Sequence, residues 1–106
     1  MSIIFYDHLV NKHEIFLYID NLPEPENHKS KLKHLVDDII HQGLIEFVLQ
    51  KLHSHHHRTF LNHLHQTPYD PEIISFLKDH IHPDIETELQ EQIDLLLQTI
   101  EKDLKK

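Results

Sequence analysis

Helix breakers are few in this chain and confined to a few places. One glycine, Gly43, occurs in 106 residues, and the five prolines cluster as Pro23 with Pro25, Pro68 with Pro71, and Pro83 alone. Proline fixes φ and removes a backbone donor, so each cluster marks a point where a helix ends or begins. Between the clusters, apolar residues recur every three or four positions, the period of a helix with a buried side. Such breaks between segments of helical period describe a helical bundle and not a sheet protein. The expected fold is all-α: a compact bundle of four to five helices, forming one domain over residues 1–106.

Residues 3 to 20 are rich in apolar side chains, among them Ile3, Ile4, Phe5, Leu9, Val10, Ile15, Phe16, Leu17 and Ile19. A break at Asn11–Lys12 makes two short helices or one bent helix, and "IIFY" over 3–6 is also open to a strand. "DNLPEPEN" (20–27) reads as a loop leading into a second helix, from about Asn27 to Leu52. Its first half sets Leu32, Leu35, Val36 and Ile39 on one face. After Gly43, the side chains of Leu44, Ile45, Phe47, Val48, Leu49 and Leu52 point in nearly every direction. Residues 44–52 are therefore expected to be buried all round, as the central strut of the core. Gly43 either admits a neighbouring helix closely or kinks the rod.

A third helix is expected from Ser54, as N-cap, to about Gln66, with Phe60, Leu61 and Leu64 inward. A fourth starts from Asp70 as N-cap and Pro71 at the first helical position, and carries Ile73, Ile74, Phe76, Leu77 and Ile81. The fifth, from about Pro83, is a long amphipathic C-terminal helix with the stripe Ile85, Leu89, Ile93, Leu96, Ile100 and Leu104. Asp84, Glu86 and Glu88 crowd its start and Lys102, Lys105 and Lys106 its end, which suits the helix dipole.

Composition narrows the function. Apolar content of 39% and charged content of 26% are those of an ordinary globular protein. The absence of cysteine excludes disulfides, thiol nucleophiles and Cys-ligated zinc. The start of the chain has neither a basic region nor a small-residue cleavage site, and no apolar run reaches the ~18 residues of a membrane span. A cytoplasmic protein with no membrane partner is expected. The formal charge of −8 argues against nucleic acid, whose phosphates need a basic face. No serine stands in a nucleophile motif, one glycine cannot make a phosphate loop, and the acidic run from Asp84 to Asp94 reads as a solvated face. Neither enzymatic activity nor a cofactor is expected.

The thirteen histidines are the unusual component. Protonating all of them would carry the formal charge from −8 to about +5, mostly between pH ~7.5 and ~5.5. "KLHSHHHRTFLNHLH" (51–65) places His53 and His57 four apart, so that they could share a divalent metal if the helix were continuous. A helix beginning at Ser54 would dissolve that pairing. His34, Asp38 and His41, at i, i+4 and i+7, form a second candidate ligand set on the side away from Leu32, Val36 and Ile39, with Asp37 nearby. The alternative is an exposed face carrying Asp–His pairs. His80 is expected at the core rim, satisfied by a carbonyl, and His82 as a cap for the last helix.

From about Leu22 the stretches "LPEPENHKSKLKHL", "FLNHLH" and "FLKDHIHPDIETELQEQI" resemble a family of short, uncharacterised, all-helical bacterial proteins. The resemblance implies a helical bundle and brings no activity or functional residues with it. The leading functional expectation comes instead from Leu95, on the wrong side of the last helix, with Leu97 beside it. Together with the apolar N-terminal segment these would form an exposed patch for a protein partner or for homo-oligomerisation. The alternative is a histidine-based function, either divalent-metal binding or a response to pH.

Overall fold

The computed structural model describes residues 4–105; Ile3, whose helix or strand state was left open above, and Lys106 lie outside them. Among the described residues the chain forms five α-helices and no strand: α1 (His13–Asp20), α2 (Glu26–Lys51), α3 (His57–Gln66), α4 (Glu72–His80) and α5 (Ile85–Leu104). Two 3-10 turns, Asp7–Leu9 and Ser54–His56, precede α1 and α3. The molecule measures 47 × 24 × 21 Å, and α2, at ~1.5 Å per residue, runs most of its length.

Residues 4–6 form neither helix nor strand. They make a turn in which Phe5 and Tyr6 are buried, and the Phe5 N–H donates to the Pro68 carbonyl at 2.7 Å. The apolar run thus serves as a plug, and regular helix begins only at His13.

Cross-chain bonds fix the directions of the helices. Lys33 pairs with Asp20, Asp37 with Lys12, and His41 with Tyr6, so α2 runs back along α1 and the segment before it. The side-chain amide of Gln90 donates to the Leu9 carbonyl, and the Tyr18 hydroxyl donates to that of Leu104, so α5 runs the same way as α1. Consequently α2 and α5 are antiparallel. They meet at Gly43, where a Cβ would stand 2.9 Å from Leu96 Cδ2. Of the two roles open to Gly43, the structure takes the close approach, and α2 continues through it as one helix.

The core stripe of α2 is Val36, Ile40, Leu44, Val48 and, at its C-cap, Leu52. Steps of four residues drift ~40° each around a helix, so the stripe winds from one neighbour to the next. The expected inward face is corrected accordingly: Val36 is buried, whereas Leu35 and Ile39 face solvent. Residues 44–52 are not buried all round either. Ile45, Phe47 and Leu49 are partly covered, while Glu46 and Gln50, on one side of α2, and Lys51, at its end, are exposed.

In α3 Phe60 is buried and Leu64 partly so, but Leu61 is exposed. In α4 the core residues are Ile73, Ile74 and Leu77, and in α5 Ile85, Leu89, Ile93 and Ile100. Asp70 Oδ1 accepts the Glu72 N–H at 3.0 Å, which gives the expected capping chemistry with the helix boundary one residue later. Ser54 does not cap; the side chain of His53 accepts from the His55 N–H instead.

Candidate functional site

Three large aliphatic side chains lie open to solvent on α2 and α5: Leu35 at 53%, Ile39 at 38% and Leu95 at 57%. They share one side of the helix pair. At 100° per residue, Leu35 and Ile39 lie roughly 120–160° round α2 from Asp37 and His41, the residues that meet the N-terminal segment. On α5, Leu95 is similarly turned away from Gln90, which bonds that segment, and from Leu97, which packs against the core. The N-terminal segment and α1 therefore cover one side of the α2–α5 pair and leave the other bare.

Of the residues expected to join Leu95, Leu97 is partly buried and Phe5, Tyr6, Ile15 and Ile19 are core, whereas Leu17 of α1 is exposed. On the side of Leu95, the exposed aliphatic residues are Leu35 and Ile39. Sequence periodicity had assigned both to the interior, because a helix with apolar residues in several directions does not say which direction will be covered.

At the α2–α3 junction, α2 ends at Lys51 and the chain turns through Leu52. His53 and His57 are thus not on one continuous helix. His53 caps the following turn, and His57 Nε2 lies 2.8 Å from the Leu52 carbonyl at the end of α2. The junction instead assembles a ladder of rings, with centroids 4.0 Å apart for His53–His55, 5.1 Å for His55–His56 and 4.2 Å for His56–His80. Phe76 closes it, 4.4 Å from His80. His80 is exposed, with its ring tilted against that of His56, rather than buried against a carbonyl. Burial, followed by repulsion from His80, His55 and His53, lowers the pKa of His56 below the usual 6.5.

His34 and Asp38 are exposed, but His41 is partly buried, and its Nδ1 shares a 2.8 Å hydrogen bond with the Tyr6 hydroxyl. Asp37 turns to Lys12. A cleft of about 230 Å³ opens beside these groups, lined by Tyr6, Lys12, Asp37, Asp38 and His41. Burial, and then the carboxylates of Asp37 and Asp7, push the Tyr6 phenol above its ordinary pKa. It stays protonated at neutral pH and serves as a hydrogen-bonding group rather than a base. Sequence reasoning missed this contact, because nothing local links residues 35 positions apart.

Among the described residues, no three His, Cys, Asp or Glu side chains converge as a set able to hold a metal ion. Of the other histidines, His8 pairs with Glu86 and His28 with Glu24, while His63 and His82 stand at helix ends. His63 Nε2 lies 2.9 Å from Asp70 Oδ2, His82 Nδ1 accepts the Asp84 N–H, and His82 Nε2 pairs with Glu88. No described helix is long and apolar enough to cross a membrane. No family model, curated protein or solved structure matches the chain.

Proposed function

We propose that the chain is a non-enzymatic protein-binding or self-assembly module of the cytoplasm, and that the open side of α2 and α5 is its working surface. One observation carries this reading: Leu35, Ile39 and Leu95 are exposed together on a side that no element covers. Single exposed leucines are common and need no explanation. A group of three along one helix pair, flanked by polar residues, is the pattern of a contact surface. Sedimentation equilibrium of the wild type and of Leu95→Glu tests it. The wild type is expected to associate with rising concentration and Leu95→Glu to remain monomeric. A wild type that is monomeric throughout, and that captures no partner through this surface, overturns the reading.

The imidazole ladder favours a second reading, a response to acid. Protonation of His56, His80, His55 and His53 would place like charges at a junction where the rings now lie tilted or edge-on against one another. A divalent metal on these histidines would need their side chains to rearrange first. The net charge of −8 supports neither reading over the other but sets nucleic acid aside as a partner.

A further inference from the structure

We infer that His56 and His80 form a two-imidazole clamp for a divalent ion of the nickel and copper class, with water in its remaining coordination positions. The clamp shares no residue with the open α2–α5 side, and its binding does not depend on a partner there.

Most of the histidine rings are already engaged. Among the described residues the rings of His13, His34, His55, His56, His65 and His80 make no hydrogen bond or ion pair, whereas every other histidine ring does. Of these six, His55, His56 and His80 lie ring against ring. His55 and His56 are successive residues of one 3-10 turn, so their side chains diverge by ~120°. His80 comes instead from another element, the last position of α4, and its ring centroid lies 4.2 Å from that of His56.

The backbones that carry the pair are held in place. The His56 N–H donates to the His53 carbonyl at 2.9 Å, and the N–H of Ile81, next to His80, donates to the Leu77 carbonyl at 2.9 Å. Phe76 borders both rings, 4.4 Å from His80 and 6.1 Å from His56.

The separation of the rings suits one shape of metal centre. A metal–nitrogen bond of ~2.0–2.1 Å and a ring radius of ~1.1 Å put each ring centroid ~3.2 Å from a shared ion. Two rings bound at a right angle then have centroids ~4.5 Å apart, whereas the tetrahedral angle of zinc demands ~5.2 Å. The observed 4.2 Å is closer to the first. The rings are now tilted at 39° to each other, so each turns about its side-chain bonds to aim a free nitrogen at the ion. Right-angled nitrogen donors select nickel(II) and copper(II), of which copper(II) binds more tightly. No three ligating side chains converge among the described residues, so the chain supplies two donors and leaves the rest to water. A net charge of −8 draws cations towards the molecule.

Copper(II), titrated into the tag-free chain with glycine as a weak competitor, provides the test. Nitrogen modulation in pulsed electron paramagnetic resonance should report two imidazoles on the ion in the wild type, and only one in His56→Gln or His80→Gln. Each variant should bind at least about 10-fold more weakly, and the double variant no more than about 3-fold more weakly still, because a clamp without one arm has already lost chelation. His55→Gln, which removes a free ring alongside, should stay within about 3-fold of the wild type. Circular dichroism checks that each variant folds, and the wild-type spectrum needs no variant.

A wild-type spectrum with a single imidazole overturns the inference. Replacement of either histidine that lowers the number of ions bound but not their affinity does the same, since it marks adventitious binding by independent rings. A loss in His55→Gln as large as that in His80→Gln overturns the pairing.

Discussion

At the scale of single residues, four imidazoles serve as compact hydrogen-bonding groups at helix junctions. His53 caps a turn, His57 reaches the carbonyl that ends α2, His82 accepts the Asp84 N–H, and His63 holds the Asp70 carboxylate. That last bond, with the Glu72 N–H, holds the Asp70 carboxyl below the usual carboxylate range. His56 differs because burial, and then its histidine neighbours, oppose its charge. Its folded pKa is below that of the unfolded chain, so the unfolded state binds more protons. The stability it contributes is complete above pH ~6.5 and is lost as pH falls through the folded value. His56→Gln should therefore lose less of its thermal midpoint than the wild type between pH ~7.5 and ~5.5. Parallel melting curves check this, and equal losses in the two proteins would show that the ladder has no influence on acid stability.

At the scale of elements, a close approach of the two longest helices depends on a missing side chain. Glycine within a helix costs about 1 kcal/mol relative to alanine, yet Gly43 sits in the middle of α2. Its Cβ would meet both terminal methyls of Leu96, at 2.9 and 3.0 Å. These methyls end a flexible, partly exposed side chain, so they can yield at some cost. Gly43→Ala alone should thus change stability by less than about 1 kcal/mol, because helix propensity and crowding offset each other. In a Leu96→Ala background, the same substitution should stabilise by about 1 kcal/mol. Urea unfolding of the four proteins closes the cycle, and an identical gain in both backgrounds would rule out crowding as the reason for the glycine.

At the scale of the whole molecule, residues before α1 close the bundle. Phe5 is 4% exposed, meets the Phe60 ring edge-on at 6.2 Å and bonds the loop after α3 through its backbone. Tyr6 reaches His41 in α2, and Leu9 is held by Gln90 of α5. One short segment thus touches three parts of the fold distant in sequence. Phe5→Ala should cost about 3–5 kcal/mol, as large aromatic truncations in cores do. Chemical denaturation measures it; a loss under about 1 kcal/mol would mean that the segment only decorates the bundle. The same segment decides which side of α2 and α5 remains bare.

The helices themselves were legible before any coordinates. Proline placement, the Asp70 cap and the stripe of α5 are local signals, written within a few residues of the structure they specify. The direction each helix faces was less legible. In α5 the apolar residues form one clear stripe, and its core residues lie in it; in α2 they point several ways, and Leu35 and Ile39 read as interior. Local period says that a helix has an apolar side, but covering that side requires a neighbour supplied by distant parts of the chain. Folding set α1 and residues 4–10 against one flank of α2 and left the other open. For the same reason His41 finds Tyr6, and His56 finds His80, only once the bundle has formed.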